Sequence, residues 1–133
     1  MKRLLFLALG LAFMSSCSDD VEPDRLMYDI TYTVETSGGA TINTIEYRDD
    51  KGDLVEVSNA TSPWTINLRV RAGLALEAAA YGDVPHEGLL RITAEWTPEG
   101  GSTQSESETL TNDTPNSTID NGKVEIPGRT LPD

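Results

Sequence analysis

The sequence predicts a small all-β domain, an antiparallel β-sandwich. Several short segments alternate apolar and polar residues with a period of two, which is the pattern of a strand with one buried face. Turns rich in Gly, Asp and Asn separate these segments at short intervals. A chain of 133 residues has room for one such domain.

The first three strands are predicted between residues 28 and 57. The first has four apolar residues in strict alternation: Tyr28, Ile30, Tyr32 and Val34. After a turn at 37–39, a second strand covers about 40–48. The loop 49–53 then returns the chain to a third strand at 54–57, so these segments form a hairpin.

Three further strands are predicted between residues 64 and 96. Each has one apolar face: Trp64, Ile66, Leu68 and Val70; then Leu74, Leu76, Ala78 and Ala80; then Leu90, Ile92, Ala94 and Trp96. The alanine-rich segment 74–81 is interpreted as a strand and not a helix, because Glu77 falls in the polar phase and strands flank it. Six or seven strands at this spacing predict an immunoglobulin-like β-sandwich over residues 27–111.

The C-terminal part of the sequence is more polar. Residues 102–111 contain one large apolar residue, Leu110, and predict an exposed edge strand. Residues 112–133 are predicted to be a polar tail outside the sandwich, with at most a short hairpin around Asp120–Lys123. The alternative for this tail is disorder.

The N-terminus has the organisation of a signal peptide. A basic start, Met1–Arg3, precedes an apolar run from Leu4 to Met14, and small residues lead to Cys17. As a helix the run spans about 16 Å at ~1.5 Å per residue, which is too short for a hydrocarbon core of about 30 Å. Residues 1–16 are therefore predicted to be removed and not to remain as a membrane span.

The segment Met14-Ser15-Ser16-Cys17 resembles the lipobox of bacterial lipoproteins. That resemblance implies cleavage between Ser16 and Cys17, with acyl chains such as palmitate anchoring the protein to the outer membrane through Cys17. Two or three acyl chains hold a protein on a bilayer far more firmly than one. The alternative is that Cys17 is an incidental free thiol beside an ordinary secretory cleavage site.

The acidic residues after Cys17 resemble the export tag of Bacteroidetes lipoproteins, with Ser18, Asp19 and Asp20 at its start. The resemblance implies display on the cell surface. The alternative is a plain acidic tether, residues 17–26, that leaves the domain on the periplasmic face.

Charge and cysteine content exclude several kinds of partner. The chain has 22 acidic against 10 basic residues and a formal net charge of -12. Such a domain repels nucleic acid, so no nucleic-acid partner is expected. The acidity is interpreted as favouring solubility, with an acidic recognition surface as the alternative. The single cysteine excludes an internal disulfide and a zinc site built on cysteine pairs.

Residues for catalysis or metal binding are sparse. His86 is the only histidine, and no serine near it has the context of an activated nucleophile. Asp49, Asp50 and Asp53 do not have the spacing of a calcium loop, so they are interpreted as a hairpin turn. The chain is therefore expected not to be an enzyme and to carry no metal or cofactor.

The aromatic residues divide into core and surface candidates. Trp64 and Trp96 fall in the apolar phase of their strands and are expected in the core. Tyr47 and Tyr81 fall outside the inward phase and are the candidates for an exposed ligand-contact patch.

One wider resemblance covers residues 27–100. Four segments carry it: Tyr28–Val34, Ile45–Tyr47, Ser62–Trp64 and Gly88–Thr93. They are similar to the extracytoplasmic domain of the MmpS family, small mycobacterial membrane proteins that accompany large RND-type exporters. This chain has a lipobox where that family has a transmembrane helix, and it lacks the paired cysteines common in the family.

The expected function is that of a lipid-anchored outer-membrane binding or accessory module with a protein partner in the envelope. The MmpS resemblance implies that the partner belongs to a transport complex. Two alternatives stand beside it, a glycan- or ligand-binding surface lipoprotein and a structural component of the envelope.

Overall fold

The computed structural model describes residues 25–133, and the regular elements of this part are all β-strands. There are eight: β1 (Met27–Ser37), β2 (Thr41–Arg48), β3 (Leu54–Ser58), β4 (Trp64–Arg71), β5 (Ala75–Pro85), β6 (Leu89–Pro98), β7 (Gln104–Thr111) and β8 (Thr118–Thr130).

The strands form two antiparallel sheets of four strands each. The first sheet has the order β4-β1-β6-β7 and the second β3-β2-β5-β8. Strand β7 lies against β8, so β3 and β4 are the edge strands on the opposite side of the molecule. The predicted all-β sandwich is confirmed. Its likeness to immunoglobulin domains is one of architecture, because β1 is central here whereas the first strand of a constant domain lies at a sheet edge.

The core lies between the two sheets and is built by the alternating residues of the central strands. The apolar faces predicted for β1 and β6 are confirmed, with Ile30, Val34 and Ile92 at most 2% exposed. Strand β5 packs opposite them through Leu76, Ala78 and Ala80, as predicted. Small alanines allow the second sheet to approach the large aromatic and branched side chains of the first.

Strand β5 is longer than predicted. Its pairing continues beyond the predicted segment 74–81, with β2 as far as Asp83 and with β8 as far as Pro85. Gly82 fits because its α-carbon lies close to the neighbouring strand, so that a β-carbon there would lie 2.0 Å from the carbonyl oxygen of Thr41.

The C-terminal tail predicted for residues 112–133 is instead part of the sandwich. Strand β8 pairs with β5 along most of its length, and Val124, Ile126 and Leu131 are buried. Two register shifts each leave β8 with one extra residue relative to β5, so its apolar residues do not follow a period of two. No hairpin turn forms at Asp120–Lys123, because the chain crosses a bulge there and stays in the sheet.

The loops gather at two ends of the molecule. The proximal end contains residue 25, where the N-terminal segment joins, with the loops 49–53, 72–74 and 99–103 and residues 131–133. The distal end consists of four connections: 38–40, 59–63, 86–88 and 112–117. Hydrogen bonds fix both groups, for example Ala72 N–H to Leu26 O at 2.7 Å and Glu87 N–H to Asn112 O at 2.8 Å.

Candidate functional site

The residues of the predicted anchor lie outside the described part of the chain. These are Ser16 and Cys17 at the cleavage position and Ser18, Asp19 and Asp20 of the export tag. They stay predictions. The described chain begins at Arg25 on the proximal end, so a tether from Cys17 would leave the four distal loops at the far end of the domain.

Tyr47 is not part of an exposed patch, and this expectation was wrong. Its side chain is 7% exposed and lies between two other rings, with centroids 6.2 Å from Tyr32 and 5.7 Å from Trp64. Burial, reinforced by the charge of Asp49, raises its pKa above the ordinary value. Tyr47 therefore belongs to the core.

A β-bulge at Asn43 explains why Tyr47 was misplaced. Ile42 pairs with Gly82, but Thr44 pairs with Tyr81, so β2 has one more residue than β5 at this point. The extra residue changes which face each later side chain occupies. Ile42 is buried before the bulge, and Ile45 and Tyr47 are buried after it.

Bulges in β2 and β8 face each other across Asp83 of β5 and form a polar cluster. The Asn43 Nδ2 donates to Asp83 Oδ1 at 3.0 Å and to Asn121 Oδ1 at 3.3 Å, and the Asn121 backbone N–H donates to Asp83 Oδ1 at 2.8 Å. The hydrogen bonds from the Asn121 backbone and the Asn43 side chain lower the pKa of Asp83. This cluster holds three strands in register at the distal end.

Tyr81 lies on the outer face of the second sheet and is half-buried. Lys123 Nζ is 5.8 Å from its ring centroid and also forms an ion pair with Glu125 at 2.7 Å. The hydrogen bond to Glu125 raises the pKa of Lys123. Glu46 and Glu56 lie beside Tyr81 around a shallow depression. Ligand contact at Tyr81 stays a prediction, on an acidic face and without Tyr47.

Three of the four sheet edges have features that block pairing with another chain. Strand β7 directs Glu106 and Glu108 toward β8, where Glu106 pairs with Arg129 and Glu108 accepts the backbone N–H of Glu125. Strand β8 has two bulges and Pro127, and β3 has only five residues. Inward charges, bulges, proline and short length are the usual protections of an edge.

The fourth edge, β4, lacks these features. It has eight residues, pairs regularly with β1 throughout, and contains no proline or acidic residue. Its two charged residues, Arg69 and Arg71, are at its proximal end, and Arg69 forms ion pairs with Asp29 and Glu99. The segment Trp64–Leu68 is therefore an uncharged, regular and unprotected strand edge.

The apolar side chains between β3 and β4 are only partly covered. This β3–β4 seam consists of Val55, Val57, Trp64, Ile66 and Leu68, all packed against the core but not fully buried. The predicted inward phase of β4 is confirmed, but of its four inward residues only Val70 is fully buried. The sandwich is thus less closed along this side than along β7–β8.

The residues considered for chemistry lie apart from this edge. His86 is in the distal connection 86–88, with its Nε2 4.0 Å from a Glu87 carboxylate oxygen. Asp49 caps the turn 49–53 by accepting the backbone N–H groups of Lys51 and Asp53, both at 2.9 Å. Within residues 25–133 no group of three or more His, Cys, Asp or Glu side chains is placed to hold a metal ion.

Compared with protein-family models and with curated proteins, the chain matches none. Residues 25–133 contain no helix that could span a bilayer.

Sequence analysis identified β4 as a strand but not its free edge as a candidate site. One signal was present in the sequence, because residues 64–68 contain no charge in a chain with 24% charged residues. The position of β4 at an edge depends on its pairing with β1 alone, which is a long-range property.

Proposed function

We propose that the chain is a lipid-anchored outer-membrane binding module whose protein partner adds a strand to β4. The observation that carries this proposal is that β4 is, among the four edges of the described sandwich, the one without a protective feature. The module acts by binding and not by catalysis.

Strand addition would use two properties of this edge, its unprotected backbone and the partly exposed apolar side chains of the β3–β4 seam. Backbone N–H and C=O groups on the outer edge of Trp64–Leu68 supply hydrogen bonds to an extended segment, which gives affinity without strict sequence requirements. Apolar side chains of that segment would cover the β3–β4 seam, where Trp64 and Ile66 are incompletely buried. Covering them adds hydrophobic stabilisation of about 25 cal/mol per Å² of apolar surface.

The predicted anchor at Cys17 would hold the proximal end of β4, at Arg71, toward the membrane, with Trp64–Leu68 farther out along the strand. Residues 17–24 span at most about 28 Å when extended, at ~3.5 Å per residue. A partner embedded in or bound to the same membrane is therefore within reach. The resemblance of residues 27–100 to the MmpS extracytoplasmic domain supports a component of an envelope transport complex as that partner.

Position-specific photo-crosslinking in intact cells tests the strand-addition proposal. A benzophenone amino acid replaces Thr65 or Asn67 on the exposed face of β4 in the full-length protein. Ser105 and Ser107, on the same face of the same sheet but on β7, serve as matched controls. We expect an adduct of one defined mass at the β4 positions and none at the β7 positions.

Equal crosslinking at both edges, or none at β4, would contradict the proposal. An adduct of twice the chain's mass would show that β4 pairs with a second copy of this chain. That outcome would also contradict the proposal, which requires a different protein as the partner. Independently, Cys17→Ser should move the protein out of the membrane fraction, and unchanged fractionation would rule out the lipid anchor.

A further inference from the structure

A groove of about 500 Å³ lies at the distal end, on the β3–β4 side of the molecule. We call it the distal groove; its lining residues are Thr36, Ala40, Thr41, Ile42, Asn43, Asn59, Ala60, Thr61 and Ser62. Its volume lies within the range of small-molecule sites, about 300–1,000 Å³. The groove is separate from β4, because none of its lining residues belongs to that strand.

Hydrogen bonds hold both walls of the distal groove in place. The Thr36 backbone N–H donates to Ser62 Oγ at 2.8 Å, which ties the loop 59–63 to β1. At the other end of this loop, the Asn59 N–H donates to the carbonyl oxygen of Asn43 at 2.9 Å. Asn43 is itself fixed by its bonds to Asp83 and Asn121. The groove is therefore formed before any ligand arrives, which lowers the entropic cost of binding.

The chemistry of the lining selects an uncharged ligand. None of the nine lining residues is ionisable, although 24% of the chain is charged. An ionic ligand would find no charged side chain of opposite sign in the lining. Neutral hydroxyl and amide groups instead pair with neutral donors and acceptors.

Some surface hydroxyl groups of the described sandwich are paired with one another, and others, such as those of Ser105 and Thr111 on β7, are open to solvent. On the outer face of the first sheet, hydroxyls pair with each other, as between Thr93 and Ser107 at 2.8 Å or Thr97 and Thr103 at 2.7 Å. Around the groove, four side chains make no hydrogen bond to another described residue: Thr36, Thr41, Asn59 and Thr61. Their donors and acceptors are available to a ligand.

We infer that the distal groove is a binding site for an uncharged, hydroxyl-rich ligand of the saccharide class. A sugar presents several neutral hydroxyls at once, each able to donate and accept, which matches hydroxyl and amide groups spread over two walls. Ala40 and Ala60, which are only partly buried, supply apolar surface between these polar groups for the C–H faces of the ring.

Calorimetric titration of the full-length protein, in a detergent without a sugar headgroup, tests this site. The probes are hexasaccharides of glucose, mannose and galactose, with the anionic hexamer of galacturonic acid as the charged comparison. We expect at least one neutral hexamer to bind and the anionic hexamer to bind at least about tenfold more weakly, since its carboxylates find no cation in the groove.

Two substitutions at exposed positions assign the binding to the groove. Thr61→Val removes a hydroxyl while keeping the shape of the side chain, and Asn59→Asp replaces amide donors while tolerating the positive φ of 53° at this position. Each should weaken binding at least about threefold, which is the effect of losing one neutral hydrogen bond. Thr111→Val, an exposed hydroxyl on β7, is the matched control and should leave affinity unchanged.

No heat of binding with any neutral hexamer, or equal binding in the two groove variants and wild type, would overturn the inference. Tighter binding of the anionic hexamer would also overturn it. Saccharide titration and crosslinking at β4 are independent measurements. A negative titration would leave the strand-addition proposal unaffected, and absence of crosslinking at β4 would leave the saccharide site unaffected.

Discussion

At the residue scale, Tyr32 shows how the two sheets are joined at their centre. Its side chain is 1% exposed, its ring lies 6.2 Å from that of Tyr47, and its hydroxyl oxygen accepts the backbone N–H of Glu77 at 3.1 Å. Burial, opposed by that hydrogen bond, raises the pKa of Tyr32 to about 12. One phenol from the first sheet thus completes the hydrogen bonding of a strand in the second.

This pKa predicts a loss of stability in alkali. A phenol with a raised pKa in the folded state stabilises the fold fully below its unfolded pKa of about 10, and this contribution is lost as the pH rises toward about 12. Tyr32→Phe should lower the melting temperature at neutral pH, since it removes one hydrogen bond of about 1 kcal/mol. It should also show a shallower fall of the melting temperature between about pH 9 and pH 12.

Thermal melts followed by circular dichroism measure both effects. Tyr81→Phe on the half-exposed outer face is the control, and it should follow the wild-type curve. If Tyr32→Phe and wild type lose stability in parallel above pH 10, another group is responsible for the alkaline transition.

At the element scale, sequence analysis assigned the buried face correctly in the strands whose pairing contains no bulge. Strands β1 and β6 keep a strict period of two over their whole paired length, so Ile30 and Ile92 could be assigned to the core from the sequence alone. Strands β2 and β8 each contain extra residues, and the misassignments of Tyr47 and of the C-terminal tail follow from them. A bulge leaves no clear mark in a single sequence, because its cause is the pairing with a distant strand.

The candidate sites were less predictable than the strands. The alternation of residues 64–71 was visible, but an edge is defined by the absence of a second neighbour, which only the sheet order reveals. The distal groove likewise joins residues from two separate segments, 36–43 and 59–62, through hydrogen bonds that local patterns do not specify.

Deleting Asn43 tests whether the bulge sets the register of β2. Without the extra residue, either Ile42 or the pair Ile45 and Tyr47 must turn away from the core, because a one-residue shift reverses the facing of a strand. We expect the deletion to abolish the cooperative thermal transition. Asn43→Ala keeps the residue count and should cost only about 1–2 kcal/mol for its lost hydrogen bonds. Similar melting of the two variants would show that the bulge does not fix the register.

At the scale of the whole molecule, the last strand completes the core. Val124, Ile126 and Leu131 are each 1% exposed, and side chains of this size contribute about 1.5–3 kcal/mol each when buried. Together they approach the total stability of a typical domain, about 5–15 kcal/mol. The sandwich therefore requires residues up to 131.

Truncation tests this requirement. A chain ending at residue 117 should fail to fold and be degraded rapidly in limited proteolysis, because the edge of β5 and the apolar faces beneath it would be exposed. A chain ending at residue 131 loses only the hydrogen bond from Tyr28 Oη to Pro132 O at 2.8 Å and should remain resistant. If the chain that ends at residue 117 were protease-resistant, β8 would be dispensable for folding.

Both ends of the described chain emerge on the same side of the sandwich, where Gly73 N–H donates to Leu131 O at 2.8 Å and Ala72 N–H to Leu26 O at 2.7 Å. An epitope or fluorescent reporter appended after Asp133 would thus lie beside the tether, between the domain and the membrane to which the protein is proposed to be anchored. Antibodies would reach it poorly even on a fully displayed protein. A reporter for surface display belongs instead in the exposed stretch 113–116 of the opposite end.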